Sequence, residues 1–160
     1  MSRLPRQIAV CGPRDCTDSD TDIAREVGRL LAEAGATVLC GGGTGVMAAV
    51  AEGASHAGGL VIGVRPDTDR DAICAGLSAA LFTAMGEARN AILIQSADAI
   101  IVIGGSWGTL SELALANRRG SIPVISLNGW RVVDADGTDL HGSQAATNPA
   151  DAVARALFPS

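Results

Sequence analysis

The sequence predicts a single α/β domain, residues 1–160, with a doubly wound parallel sheet and helices on both faces. Three observations carry this. Short, almost wholly apolar runs alternate with stretches of helical periodicity. The apolar content is 48% of the chain, yet only two Phe and two Trp are present and no Tyr, so the core is Ala, Val, Ile and Leu, as a sheet buried on both faces requires. Twenty glycines without a collagen-like period sit between the runs, as tight turns and close backbone approaches do. A chain of 160 residues suffices for one well-buried core.

The elements follow in order. Residues 7–10 read as a first strand. Ile23, Val27, Leu30, Leu31 and Ala34 fall at helical spacing, with Asp18, Ser19 and Asp20 offering caps and Gly35 a stop. Residues 37–40 form a second strand, followed by a glycine cluster and a helix over 46–56. A third strand covers 60–64. The stretch 67–76 is a polar loop with a helical turn, and 79–83 a fourth strand rich in alanine. A helix over 87–97 and a very apolar strand over 99–103 come next. A second glycine cluster leads into a helix over about 110–119, then a strand opened by Pro123 covers 123–127. Residues 130–147 lack regular pattern, and Asn148-Pro149 reads as the cap and first turn of a closing helix. Strands separated by helices of this length make right-handed βαβ units. No internal repeat or linker interrupts them.

Composition excludes several classes. A net charge of −5 argues against a grip on nucleic-acid backbone, while backbone amides can still make a local anion site. All twelve basic residues are arginine. A pyridoxal phosphate enzyme needs a lysine for its Schiff base, and a Walker-type loop needs one at the phosphates, so both are excluded. Cys11, Cys16, Cys40 and Cys74 lack paired metal spacing and read as reduced thiols, Cys11 and Cys40 buried at the ends of apolar runs. The expectation is no metal, no signal peptide, no membrane partner and a cytoplasmic location.

Both glycine clusters fall between a strand and a helix, at the edge where open parallel sheets bind ligands. Gly42, Gly43, Thr44 and Gly45 in the first, and Gly105, Ser106, Trp107, Gly108 and Thr109 in the second, are the candidate phosphate and nucleotide contacts. Glycine lets the backbone approach, and the free amides of the following helix point at an anion. Arg89 and Glu112 face the same edge. Each also has a structural reading. Thr109-Leu110-Ser111-Glu112 spells a capping box, and Arg89 fits a surface ion pair with Glu87 or Glu112.

The segments 40–47 (CGGGTGVM), 86–90 (GEARN) and 104–112 (GGSWGTLSE) resemble the three signature regions of the LONELY GUY (LOG) superfamily, once widely labelled "possible lysine decarboxylase". The likeness runs from Ile8 to about Leu127 in matching order. It implies a Rossmann-like fold, a dimer, and phosphoribohydrolase activity that cuts the N-glycosidic bond of cytokinin nucleoside 5′-monophosphates. Arg89 and Glu112 fall on the family's two catalytic positions. Asn90 stands where the family has lysine, Ser111 where it has a first glutamate, and Gly104 where it has proline. In those departures the chain is more similar to the molybdenum cofactor carrier-like branch. The decarboxylase label fails because there is no lysine. The resemblance therefore implies a bound nucleoside monophosphate or phosphorylated pterin such as molybdenum cofactor, with no further cofactor required. If hydrolysis occurs, Glu112 stabilises the positive charge that builds on the sugar or orients water, and Arg89 holds the sugar-phosphate. The amides of residues 105–109 anchor the phosphate, and Gly42 to Gly45 close the opposite wall.

Among other residues, Trp107 reads as a stacking platform for a base or pterin, or equally as a lid or subunit contact. Pro13 and Arg14 follow the first strand at the ligand edge, and Arg14 also suits a solvated loop. His56 suits a helix C-terminus, and His141 joins no constellation. Ala91, Ile92, Leu93 and Ile94 make a stripe too wide for one core face, which predicts a homodimer or larger assembly. The competing functions are a carrier that holds its ligand, a phosphoribohydrolase, and a DNA-processing module, which the acidic balance disfavours.

Overall fold

The computed structural model describes residues 4–159. Seven strands, β1 (Gln7–Cys11), β2 (Thr37–Cys40), β3 (Val61–Arg65), β4 (Ala79–Phe82), β5 (Ala99–Ile103), β6 (Val124–Leu127) and β7 (Gln144–Ala145), form one sheet in the order β4-β3-β2-β1-β5-β6-β7. Every pairing is parallel. The helices are α1 (Asp18–Glu33), α2 (Val46–His56), α3 (Arg89–Gln95), α4 (Trp107–Arg119) and α5 (Pro149–Leu157), with a single 3-10 turn at Gly86–Ala88 leading into α3. This is the doubly wound Rossmann-like domain the sequence predicts. The loop over 67–76 has no helical turn, and the irregular 130–147 adds the short strand β7.

The pleat divides the core. Ile8, Val10, Val38, Cys40, Ile101, Ile103 and Ile125 point to a face covered by α1, α2 and α5. Ala9, Cys11, Leu39, Ile100, Val102 and Val124 point to the other, covered by α3 and α4. β1, β2 and β5 are almost wholly buried, so their runs are continuously apolar rather than alternating. On the first face α1 and α2 pack closely because Gly28 and Gly53 stand at the crossing. A methyl on Gly53 would overlap the Arg25 carbonyl, and one on Gly28 the Val50 carbonyl.

Helix boundaries follow local chemistry. The N-cap of α1 is Thr17, not Asp18, Ser19 or Asp20: its hydroxyl accepts from the Asp20 amide at 3.1 Å, and the Asp20 carboxylate accepts from the Thr17 amide at 3.3 Å. Asn148 caps α5 with Pro149 at its first position, as expected. Cys11, Cys16, Cys40 and Cys74 are all free thiols, and burial pushes the Cys40 thiol up to about 12. Among the described residues no cluster is suited to hold a metal ion, and no helix is long and apolar enough to cross a membrane.

Candidate functional site

The chain runs outward from β1 through α1 to β4, then returns to place β5 on the other side of β1. The connections from these two neighbours therefore leave in opposite directions, and a crevice opens at their carboxyl ends. It has a volume of about 380 Å³. The loop after β1 (Gly12 to Asp15) forms one wall, the start of α3 with Glu87, Arg89 and Asn90 another, and the first turns of α4 a third.

Arg89 is only 5% exposed, which removes the surface ion-pair reading. Its Nη1 donates to the carbonyls of Gly41, at 3.0 Å, and of Val64, which lie beyond the ends of β2 and within β3. Its Nε donates to Asn90 Oδ1 at 2.7 Å. Asn90, itself buried, is thus the residue that orients the guanidinium, at the position where the resembled family has lysine. Nη2 has no hydrogen-bond partner among the described residues, and its donors remain for a ligand.

Glu112 is not a capping glutamate. α4 begins at Trp107, three residues before the sequence placed it. Its N-cap is Ser106, whose hydroxyl accepts from the Thr109 amide at 3.2 Å and lies 2.9 Å from the Thr109 hydroxyl. Glu112 therefore sits in the second turn, too deep to reach the cap, 8% exposed and lining the crevice. Burial pushes its carboxyl up to about 7. Arg89 and a hydrogen bond from the Cys11 thiol act in the opposite direction, and Glu87 adds to the rise. Cys11, buried at the end of β1 against Glu112, is held well above the ordinary thiol range by burial and by that carboxyl, so it stays protonated and donates. A carboxyl near 7 is present in both forms at neutral pH, as acid–base or charge-stabilising work requires.

The start of α4 presents free backbone amides to the crevice. The amides of Trp107 and Gly108 have no partner among the described residues, and both residues line the crevice with Ser106 and Thr109. Gly105 does not line it: Trp130 packs over it so closely that any side chain would clash. The first glycine cluster also departs from expectation. Gly42 and Gly43 are buried against Arg65, Leu77 and Met47 rather than lining the crevice, while Thr44 is exposed and Gly45 is the N-cap of α2 without a side-chain bond. Gly41 lies against both Arg89 and Met47. Met47 forms that wall, and the glycines make room for the two buried arginines behind it.

Pro13 and Arg14 do line the crevice. Trp107 is 79% exposed and meets Trp130 edge to face, with ring centroids 5.5 Å apart at 87°. Sequence reasoning missed Cys11, Met47, Asn90 and Asp15. The signals pointing to this edge were the place of Met47 and Asn90 in the segments 40–47 and 86–90 and that of Cys11 at the end of its apolar run, just before Gly12.

The sequence profile of the SLOG cluster4 family matches residues 5–154. This chain belongs to that family. Among solved structures it is similar to the molybdenum cofactor binding protein of the phototrophic bacterium Rippkaea orientalis, with a TM-score of 0.83, 32% identity, and 94% of each chain covered. Among curated proteins it is 32% identical over 136 residues to the cytokinin riboside 5′-monophosphate phosphoribohydrolase of Mycobacterium tuberculosis, covering 76% of this chain and 69% of that one. It is 33% identical over 119 residues to the cytokinin riboside 5′-monophosphate phosphoribohydrolase LOG5 of Arabidopsis thaliana, covering 70% of this chain. The match spans about half, 51%, of that plant relative. The SLOG cluster4 chain is thus similar both to a molybdenum cofactor binding protein and to cytokinin riboside 5′-monophosphate phosphoribohydrolases.

Proposed function

We propose that the crevice binds a phosphorylated, nucleotide-like ligand, a nucleoside 5′-monophosphate or a phosphorylated pterin of the molybdenum cofactor type, and carries it without turnover. One observation carries the reading: the unpaired amides at the start of α4 line the same crevice as a buried, pre-oriented arginine with Nη2 free. The phosphate sits on the Trp107 and Gly108 amides, where the helix dipole favours an anion. Nη2 of Arg89 meets an oxygen of the sugar or pterin portion, and Trp107 offers a flat apolar surface beside it. The likeness to the Rippkaea protein supports binding of a molybdenum cofactor-type ligand.

A second reading, hydrolysis of the N-glycosidic bond, is favoured by one pairing: Glu112, near 7, beside Arg89. In that reaction the bond to the anomeric carbon breaks, its electron pair leaves with the base, and water adds to the sugar. The ionised Glu112 would stabilise the charge developing on the sugar and take up the water proton, which then passes to the departing base, while Arg89 holds the sugar-phosphate. The two readings separate in one experiment. The carrier binds AMP with a thermal shift and releases no adenine from it. The hydrolase releases adenine, and Glu112→Gln lowers that rate by roughly two orders of magnitude while preserving AMP affinity.

A further inference from the structure

Beyond the carboxyl ends of β6 and β7 lies a second cavity, of about 480 Å³, that shares no lining residue with the crevice. Its floor is apolar, with Leu113, Val132 and Ala146. Its rim carries the hydroxyls of Ser126 and Ser143, the Asn128 amide and the charged groups Arg131 and Asp139. Trp130 stands as one wall, 45% exposed. An apolar floor with a few convergent polar groups is the usual make-up of a small-molecule site.

The walls are held in place. Arg131 pairs with Asp139 at 3.0 Å, Val133 bridges Asp139 in the antiparallel sense, and Asn117 donates to the Gly142 carbonyl at 2.8 Å. Asn128 and His141, at either end of this excursion, adopt φ of +55° and +48°, the left-handed region that Asn and His enter more readily than most non-glycine residues. Between cavity and crevice is a neck of about 10 Å³, touched by Ser106 and Thr109 on one side and Ser126 and Ser143 on the other, under Trp130. That is room for about one water. The Trp107–Trp130 pair forms the ridge over it.

We propose that this cavity is a second subsite, which takes the heterocyclic base of a two-part, dinucleotide-class ligand whose phosphate lies at the start of α4. The phosphate half of this assignment rests on the proposed function above. The base stacks on Trp130, its apolar faces lie between that ring and the Leu113 and Val132 side chains, and its donor and acceptor edge meets Ser126, Ser143 and Asn128. The linking phosphates cross the ridge beside the free α4 amides.

The test uses the full chain and three probes: diadenosine 5′,5′-diphosphate, AMP and adenosine. With no tyrosine and two tryptophans in the chain, Trp107→Phe leaves Trp130 as the sole fluorescent reporter. The dinucleotide should bind the wild type at least tenfold more tightly than AMP by calorimetry, and should quench Trp130 in the Trp107→Phe variant. Ala145→Phe, which fills the cavity from an exposed position, should remove the tenfold advantage and leave AMP affinity unchanged. Arg131→Ala with His141→Ala, on exposed rim positions, should reduce it severalfold even if Ala145→Phe misfolds. A dinucleotide no tighter than AMP, or an advantage that survives a folded Ala145→Phe, overturns the proposal. Failure of the phosphate reading has a different signature: AMP without effect, while adenosine still quenches Trp130 and Ala145→Phe abolishes that quenching. This outcome supports the base subsite alone.

Discussion

Glu112→Gln isolates what it costs the fold to keep a carboxyl in the crevice. Burial raises this group from the ordinary 4.5 to about 7. Between those two pH values the folded chain binds more protons at this site than the unfolded chain does. The stabilisation is therefore complete below pH 4.5 and is lost as pH rises through about 7. The gap corresponds to roughly 3 kcal/mol at most, at 1.36 kcal/mol per pH unit. Glutamine is close to isosteric and does not ionise, so the variant lacks this slope. The two proteins should have similar stability near pH 4.5, and the variant should be the more stable by up to ~3 kcal/mol at pH 8. For a domain of this size that is about 6–12 °C in melting temperature. Urea unfolding of both proteins from pH 4.5 to 8.5, with unchanged m-values, measures the difference directly. The depressed carboxyls of Asp67, Asp139 and Asp151 contribute equally to both proteins and cancel. Stability curves that stay parallel across the range would refute the burial argument.

Arg89→Ala removes the partner of two backbone carbonyls as well as the free Nη2. It should weaken AMP by tenfold or more in calorimetry and lower stability by roughly 1–3 kcal/mol, because the carbonyls of Gly41 and Val64 lose their donor. Ser106→Ala should cost ~1 kcal/mol through the lost cap of α4, read as a lower urea midpoint, and should also weaken AMP by loosening the helix start. A homodimer remains our expectation, though not through the stripe that first suggested it. Leu93 and Ile94 point into the core, whereas Leu81 and Met85, each about half exposed, leave an apolar surface beside the short helix α3. Light scattering should give twice the monomer mass at micromolar concentration, and Leu81→Glu should halve it.

The order of strands and helices was legible because each buried strand is a continuous apolar run flanked by glycine or a helix signal. The placement of both glycine clusters at one edge followed from the parallel sheet. The finer features depended on contacts between distant segments. Thr109 and Ser106 offer equally good capping hydroxyls, and only the path of the chain out of β5 selects Ser106. That choice moves Glu112 one turn deeper and separates it from any capping role. Arg89 reads as a surface residue in its own segment because its partners are carbonyls brought in by β2 and β3. Gly42 and Gly43 read as a phosphate loop because packing around a buried arginine uses the same residue type as packing around a ligand. Asp18, Ser19 and Asp20 obscured Thr17 for a similar reason: polar first-turn residues and a true cap look alike without backbone geometry.

Everything proposed for the crevice depends on a phosphate at the start of α4. Calorimetric titration of the wild-type chain with AMP and with adenosine, side by side at one salt concentration and pH 7.5, tests it most directly. The predicted result is AMP binding at least tenfold tighter than adenosine, with AMP itself weakened tenfold or more in Arg89→Ala. Equal affinity for nucleoside and nucleotide, or an AMP affinity indifferent to Arg89, would contradict it.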